Sequence, residues 1–309
     1  MKIIFFGTPE FAVHSLKRIH QENIEICAVV TVPDKASGRG LQIRYSAVKE
    51  FALSHNLEIL QPENLKEPAF IQKLESYKAD LFVVVAFRKL PIEVWTLPKK
   101  GTINLHASLL PDYRGAAPIN WVIINGEQKS GVTTFFINDK IDEGEILLAE
   151  GVHIDGHFNA GMLHDKLADT GASLLVKTIR GIEKNILLPT PQPSLLSLNK
   201  APKISKEDCR INWNLPAVKI NNLIRGLSPY PGAFTFYENK VLKIYAASFQ
   251  TGSHKYKYGT LFSDGKTYLH VAVPDGFIHV LELQAEGKKK LTIHDFLNGI
   301  QLPKLTKFI

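Results

Sequence analysis

A polar pair interrupts an apolar stretch near the middle of the chain. Gly101 precedes a short apolar run, Thr102–Leu105, whose residue types predict a buried strand. Asn104 and His106 are two residues apart, so on a strand their side chains lie on the same face. An amide and an imidazole at the end of a buried strand cost free energy unless they are hydrogen-bonded or used in chemistry. This segment is therefore the first candidate for an active site.

A third candidate, Asp142, lies in a glycine-containing turn 36 residues after His106. An imidazole exchanges protons near neutral pH, an amide can stabilise an oxyanion, and a carboxylate can adjust the charge of the imidazole. No Ser or Cys lies in a nucleophile elbow, and no His/Cys cluster has zinc spacing. The set predicts acyl transfer by direct attack of a substrate nucleophile, without a covalent enzyme intermediate or a metal. Taken one by one, a histidine at a strand end is more often structural than catalytic, and an aspartate in such a turn more often only hydrogen-bonds the local backbone.

The elements that must position these residues alternate between strand and helix. The segments Lys2–Phe6, Glu25–Val32 and Asp80–Ala86 are apolar runs typical of buried strands, and helical spacing separates them. This order predicts an α/β fold with a parallel sheet, in which chemistry gathers at the carboxyl edge. The first strand is followed by a single glycine, Gly7, so a dinucleotide-binding fingerprint is absent.

A proline-rich segment predicts the domain boundary. We expect a first domain over residues 1–186, a stiff linker over 187–204 and a C-terminal domain over 205–309. Beyond the linker, short strand-like runs separated by turns predict a small β-barrel or sandwich.

The excess of positive over negative charge lies in the last third of the chain. The net charge is +7, and residues 201–309 carry 15 Lys and Arg against 8 Asp and Glu, which accounts for all of it. This asymmetry favours a polyanionic partner for the C-terminal domain, although spare surface lysines would give the same count. The run Lys288–Lys290 is open to both interpretations.

The cysteines and the hydropathy of the chain indicate the cellular compartment in which the protein is expected. The two cysteines, Cys27 and Cys209, are far apart and give no disulfide framework, so a reducing cytoplasm is expected. No apolar run approaches a membrane span, and the N-terminal run is too short for a signal peptide. A monomer is the simpler expectation.

A long loop over residues 33–44 follows the second predicted strand. It exceeds the usual length of a βα connection, and it carries Lys35, Arg39 and Arg44 among glycines. We expect it to contact phosphates, with a solvated surface loop as the alternative.

Several motifs together resemble one enzyme family. The segment Asn104–Pro111, followed by Arg114–Pro118 and Ile141–Gly144, is similar to the signature of enzymes that use 10-formyltetrahydrofolate. Within that group the resemblance is strongest to the formyltransferases that act on methionyl-tRNA, and it extends to Arg210–Trp213 and Pro229–Ala233. The resemblance covers nearly the whole chain. It implies a Rossmann-like formyltransferase domain followed by a smaller C-terminal barrel of OB type, which binds tRNA.

The resemblance also implies roles for residues. The formyl group would pass from 10-formyltetrahydrofolate, as co-substrate, to the α-amino group of initiator methionyl-tRNA in translation initiation. The implied catalytic residues are Asn104, His106 and Asp142. The implied folate contacts are Ser108, Leu109, Leu110, Pro111, Phe87 and Leu90. The resemblance assigns Arg39 to the loop that enters the acceptor arm of tRNA, and the charge of the loop and of the C-terminal domain adds Lys35, Arg44, Lys203, Lys206 and Arg210 as expected tRNA contacts.

One loop departs from the family pattern, and two other functions stay open. Where the family has Tyr-Gly and a longer run to proline, this chain has Phe87–Pro91, beside the expected pterin pocket. A folate-dependent formyltransferase acting on a small amine, such as an amino sugar nucleotide, would use the same three catalytic residues. A non-catalytic RNA-binding protein would have no need of them. The basic loop and the basic C-terminal domain favour tRNA as the acceptor.

Overall fold

The computed structural model describes residues 1–37, 42–193, 198–299 and 307–308, with the backbone alone at 35–37 and 42–43. Contacts divide the chain into two compact units. Unit 1 comprises Met1–Gly115, Lys129–His153 and His164–Lys200, and unit 2 comprises Ala116–Gln128, Ile154–Leu163 and Ala201–Ile309. Two segments that precede the proline-rich linker therefore belong to unit 2.

The described residues form strands and helices with the following bounds. The strands are β1 Lys2–Gly7, β2 Glu25–Val30, β3 Lys35–Ser37, β4 Gln42–Arg44, β5 Ile59–Leu60, β6 Leu81–Val85, β7 Thr102–His106, β8 Lys129–Phe136, β9 Ile146–His153, β10 Ala233–Tyr237, β11 Lys240–Thr251, β12 Leu261–Ser263, β13 Leu269–Val273, β14 Gly276–Ala285 and β15 Leu291–Thr292. The helices are α1 Glu10–Gln21, α2 Ala47–Ser54, α3 Pro68–Ser76, α4 Ile92–Trp95, α5 Pro118–Ile124, α6 Ala160–Glu183, α7 Ala217–Gly226 and α8 Ile293–Gly299.

Unit 1 is built on a seven-stranded sheet with the order β5-β2-β1-β6-β7-β8-β9. The pairs from β5 to β7 are parallel, whereas β7–β8 and β8–β9 are antiparallel. Every residue of β6 is buried, as expected of a central strand covered on both faces. The predicted α/β fold with a parallel sheet is confirmed. It places β7, which carries Asn104 and His106, between the parallel and antiparallel parts.

Close packing explains the glycine at the end of β1. A Cβ on Gly7 would lie 2.7 Å from a ring carbon of Phe5 and 2.8 Å from the Cβ of Ala12 in α1. The first turn thus brings α1 against the sheet too closely for any larger residue.

The basic segment over residues 33–44 differs from its prediction as a loop. Its ends pair as a two-stranded antiparallel ribbon, in which Lys35 lies opposite Arg44. Arg39 lies outside the described residues.

Unit 2 centres on an antiparallel sheet with the order β10-β11-β14-β13-β12, and β15 pairs with β14. Ile220 and Ile224 of α7 pack in one core with Val271 and Ile278 of the sheet. The spacing of the two isoleucines places them on one face of α7, as a helix against a sheet requires. The predicted β-rich second part of the chain is confirmed.

Candidate active site

The strand β7 presents the two candidates at the carboxyl edge of the sheet. Asn104 pairs with Val84 of β6 and with Phe135 of β8, and His106 is the last residue of the strand. Their positions two residues apart put both side chains on one face. The Asn104 side chain is half-buried, and among the described residues none forms a hydrogen bond with it. An amide in this state is available for a ligand.

The ring of His106 has a different neighbour at each nitrogen. Nε2 lies 2.9 Å from the carbonyl oxygen of Tyr113, and Nδ1 lies 3.8 Å from Oδ2 of Asp142. Because a carbonyl oxygen only accepts, Nε2 carries the hydrogen and donates it to Tyr113. The neutral ring therefore has its free lone pair on Nδ1, which faces the carboxylate across a gap too long for a hydrogen bond.

The Asp142 carboxylate is fixed by an unusual backbone conformation and one hydrogen bond. Asp142 has φ 55°, in the left-handed region that aspartate tolerates better than most residues. Its Oδ2 accepts a hydrogen bond from the backbone N–H of Gly115 at 3.0 Å. The side chains of His106 and Asp142 are only 8% and 12% exposed, so both are shielded from bulk water. The structure thus brings these two predicted residues together.

The segment Ser108–Pro111 is held by Thr133 of β8. The buried Thr133 hydroxyl donates to the carbonyl oxygen of Ser108 at 2.7 Å and accepts from the N–H of Leu110 at 3.1 Å. The hydroxyl of Ser108 donates to the carbonyl oxygen of Asp112 at 2.6 Å, and the Leu110–Pro111 peptide bond is cis. The polar groups of this segment therefore stabilise its own conformation. Leu109 is the most exposed side chain of the segment.

The residues predicted beside the pterin follow β6. Phe87 packs edge-on against Phe6, with ring centroids 5.8 Å apart, and Leu90 is buried in the core with Val94. Arg88 donates to the carbonyl oxygens of Pro62 and Glu63, and burial lowers the pKa of its guanidinium. The loop is thus tied to the body of unit 1, and its contacts with a pterin stay a prediction.

The residues predicted to bind tRNA are mostly exposed. Arg44 in unit 1 is exposed, as are Lys203, Lys206 and Arg210 in unit 2. The Arg210 guanidinium lies 5.5 Å from the ring centroid of Phe236, a distance typical of a cation–π contact. The side chain of Lys35 and all of Arg39 lie outside the part of the chain that the structure describes.

Sequence reasoning missed two residues that complete the site. Tyr113, with φ 59°, supplies the carbonyl that fixes His106, and Gln192 of the linker donates to the carbonyl oxygens of Asp142 and Gly144. In the sequence, Gln192 is marked only by its position between two prolines. Because proline has no N–H, the side chain of Gln192 is the main hydrogen-bond donor at this point of the linker.

Membrane-spanning helices and metal-binding clusters are both absent from the described part of the chain. None of its helices is both long and apolar enough to cross a membrane. No group of three or more His, Cys, Asp or Glu side chains in that part is arranged to hold a metal ion.

Solved structures share this architecture. An N-formyltransferase from Helicobacter canadensis, solved with folinic acid and dTDP-3-aminofucose, superposes with a TM-score of 0.66 at 22% identity, covering 92% of this chain and 99% of that one. HypX from Aquifex aeolicus, in complex with tetrahydrofolic acid, superposes with a TM-score of 0.67 at 18% identity, covering all of this chain and 50% of that one. At these identities the likeness concerns the fold.

Sequence comparison gives a closer relationship. Methionyl-tRNA formyltransferase of Flavobacterium johnsoniae is 49% identical over 304 residues, which cover 97% of this chain and 96% of that protein. The enzyme of the same name from Caldanaerobacter subterraneus is 44% identical over 308 residues, 99% of each chain. The family model for formyl transferase matches residues 1–179, and that for the formyl transferase C-terminal domain matches residues 203–301. With these matches over both of its halves, the chain belongs to the formyl transferase family.

Proposed function

We propose that this enzyme transfers a formyl group from 10-formyltetrahydrofolate to the α-amino group of initiator methionyl-tRNA. The relatives at 44–49% identity carry the name methionyl-tRNA formyltransferase and align over nearly the whole chain. The observation that carries the chemistry is the half-buried Asn104 amide, which has no hydrogen-bond partner among the described residues, on the same strand face as His106. An unpaired amide beside a shielded imidazole–carboxylate pair suits an acyl transfer.

Asn104 stabilises the charge that develops on the formyl oxygen. The neutral α-amine attacks the formyl carbon, a new C–N bond forms, and the carbonyl oxygen becomes an oxyanion. The Asn104 side chain donates a hydrogen bond to that oxygen without titrating. Collapse of the intermediate breaks the bond to N10 of the folate, and N10 takes up one proton in place of the one that the amine loses to His106. Such a donor typically contributes about 2.7–4 kcal/mol to the transition state.

His106 and Asp142 handle the proton that the amine loses. Because Nε2 donates to Tyr113, Nδ1 is the nitrogen of the neutral ring that accepts a proton. The carboxylate of Asp142, 3.8 Å away, stabilises the positive charge that then develops on the ring, directly or through one water molecule. His106 can donate to the oxyanion only in its protonated form, since its Nε2 hydrogen is engaged.

The folate contacts lie beside these residues in the chain and in the sheet. Ser108–Pro111 follow β7 directly, and Phe87 and Leu90 follow the neighbouring strand β6. The strands end at one edge of a parallel pair, where ligands of α/β folds bind. The proposed domain limits remain 1–186 and 205–309, joined by the linker over 187–204.

The tRNA is bound by charge. Arg44, Lys203, Lys206 and Arg210 are exposed cations, and Lys35 and Arg39 belong to the same basic stretch of sequence over residues 33–44 as Arg44. Phosphate contacts of this kind make affinity fall steeply with salt. The proposal includes a monomeric enzyme that acts in the cytoplasm.

A formyltransferase for an amino sugar nucleotide is the second candidate. Structural neighbours that act on sugars share the fold at about 22% identity, whereas the relatives at twice that identity are named for methionyl-tRNA. A non-catalytic RNA-binding protein would leave the Asn104, His106 and Asp142 arrangement without a use.

One assay separates these functions. Purified protein is given 10-formyltetrahydrofolate and methionyl-tRNA, with free methionine and an amino sugar nucleotide as competing acceptors. We expect formylmethionyl-tRNA as the product, with little inhibition by either competitor. Formylation of the sugar nucleotide in preference to tRNA would establish the second candidate, and absence of any formyl transfer would leave an RNA-binding protein.

A further inference from the structure

Described residues of the linker contact both loops beside the candidate active site. Thr190 and Ile146 exchange two backbone hydrogen bonds, at 2.8 and 2.9 Å, beside the turn that contains Asp142. Farther along, Lys200 forms a parallel bridge with Arg114 in the loop after β7. A segment that only joined two domains would need neither contact.

Gln192 uses its whole side-chain amide to join these two loops. Its Nε2 donates to the carbonyl oxygens of Asp142 at 2.9 Å and Gly144 at 2.8 Å. Its Oε1 accepts from Nε of Arg114 at 3.1 Å and from Nη2 at 2.6 Å. Arg114 in turn lies 3.3 Å, through Nη1, from a carboxylate oxygen of Glu143. The amide therefore fixes the turn of Asp142 from two sides.

The composition of the linker makes this side chain necessary. Pro191 and Pro193 flank Gln192 and have no N–H to donate. Without Gln192, the carbonyl oxygens of Asp142 and Gly144 would lose these hydrogen-bond donors. Because both oxygens are partly buried, that loss costs free energy.

The linker also fixes the other neighbour of His106. The N–H of Tyr113 donates to the carbonyl oxygen of Asn199 at 2.6 Å, and the N–H of Asn199 donates to Oδ1 of Asp112 at 3.0 Å. The carbonyl of that same Tyr113 accepts from Nε2 of His106. Both groups that face the imidazole are thus held by linker residues.

We propose that Gln192 is a positioning residue for formyl transfer, acting through Asp142; this inference rests on the function proposed above. Asp142 adopts a left-handed backbone conformation that persists only where the surroundings enforce it. Gln192 supplies two of the hydrogen bonds that enforce it. Without them the carboxylate leaves its place opposite Nδ1 of His106, and a displacement of about 1 Å at a reacting group can cost roughly 10²-fold in rate.

The test is a double-mutant cycle in the full-length enzyme. We expect Gln192→Ala to lower kcat by about 10–100-fold, the range typical of residues that orient catalytic groups, with the KM values for both substrates little changed. In an Asp142→Asn background the same substitution should cost less than about three-fold, because the residue through which it acts is already impaired. The pH profile of kcat in Gln192→Ala should approach that of Asp142→Asn.

Two further variants at position 192 distinguish the hydrogen bonds that Gln192 donates from those that it accepts from Arg114. Gln192→Glu keeps an acceptor for Arg114 but places oxygens where two carbonyls need donors, so it should be as impaired as Gln192→Ala. Gln192→Met fills the same volume without hydrogen bonds and carries the test if the alanine variant does not fold. Normal kcat in the glutamate variant would assign the effect to Arg114 instead and overturn the proposal.

Gln284 in unit 2 offers a matched control. It also donates to a carbonyl oxygen, that of Lys288 at 2.7 Å, and accepts from the Tyr245 hydroxyl at 2.7 Å. Gln284→Ala removes a similar network and should leave kcat unchanged. An unchanged kcat in Gln192→Ala, or an equal loss in the Asp142→Asn background, would disprove the positioning role. Failure of the unmodified enzyme to formylate methionyl-tRNA would instead disprove the proposed function.

Discussion

The two functional regions of this molecule are built in opposite ways. Around Asp142, backbone and side-chain groups have fixed partners. The carboxylate of Asp142 accepts a hydrogen bond from the N–H of Gly115, and the backbone carbonyl of Asp142 accepts one from Gln192. The cations proposed for tRNA, such as Lys203 and Lys206, are exposed to solvent. Chemistry requires groups held within fractions of an ångström, whereas attraction to a polyanion requires charge in the right region. The difference predicts that the two regions respond differently to substitution.

The basic region is not uniform, however. Lys290 pairs with Glu282 at 2.7 Å and also lies 5.7 Å from the ring centroid of Tyr245. In the run Lys288–Lys290 this residue therefore already has local partners, and it is the least suited of the three to bind a phosphate.

The largest expected effect comes from the chemical region. Asn104→Ala should lower kcat by about 10²–10³-fold through loss of the oxyanion donor, and Asp142→Asn should lower it comparably. The affinity for methionyl-tRNA, measured by filter binding, should stay within about two-fold, because neither residue is a phosphate contact. Asn298→Ala, at the exposed end of α8, is the control. Turnover close to normal in either variant would remove that residue from the mechanism.

An intermediate effect is expected from the basic region. Replacing Lys203, Lys206 and Arg210 together by glutamine should weaken tRNA binding and flatten its dependence on salt. Each lost phosphate contact removes about 0.7–0.9 from the slope of log K against log salt concentration. At saturating tRNA, kcat should be retained.

Three exposed lysines of unit 1 provide the matched charge control. Changing Lys17, Lys99 and Lys184 to glutamine removes the same net charge elsewhere. If this variant alters the salt slope as much as the first, net charge alone governs binding, and the residues assigned to unit 2 have no special role.

The smallest expected effect concerns fixed contacts in unit 2 that have no part in the proposed chemistry. The rings of His270 and His279 stack with centroids 3.8 Å apart. Burial lowers the pKa of both, and repulsion from His279 lowers that of His270 further. The unfolded chain then binds protons more readily than the folded one, so the free energy of unfolding is greatest above about pH 6.5 and falls as the pH drops below it.

Urea unfolding between pH 7.5 and 5.5 measures this effect. The double variant with His270→Gln and His279→Gln should lose part of the pH dependence of the unfolding free energy. An identical dependence in the variant and the unmodified protein would assign the acid sensitivity to other groups.

The fold was largely predictable because its signals are local. The apolar run at β6 and the polar interruption at β7 are visible in neighbouring residues, and the parallel sheet follows from the order of the elements. The ribbon formed by Lys35–Ser37 and Gln42–Arg44 was missed because Gly38 and Gly40 between these strands favour a loop, whereas the pairing joins residues that are not neighbours in the sequence.

The site was predictable in its residue types but not in its assembly. Residue types and family resemblance singled out Asn104, His106 and Asp142, and the structure places the imidazole and carboxylate 3.8 Å apart. No periodicity could reveal that Tyr113 supplies a carbonyl, since every residue has one. Gln192 was hidden because a proline-rich segment is typical of a connector, and its partners lie 48, 50 and 78 residues earlier in the chain.

The distance in sequence between Gln192 and the Asp142 turn has a consequence for synthesis on the ribosome. The strand that carries Asn104 and His106 emerges first, and the Asp142 turn emerges about 36 residues later. Gln192 and Asn199, which hold the two neighbours of the imidazole, follow only after α6 has been made. A nascent chain that ends before residue 190 has all three proposed catalytic residues but lacks the hydrogen bonds from the linker to Asp142 and Tyr113. The enzyme therefore becomes competent late in translation, once the ribosome has synthesised the segment that leads into its second unit.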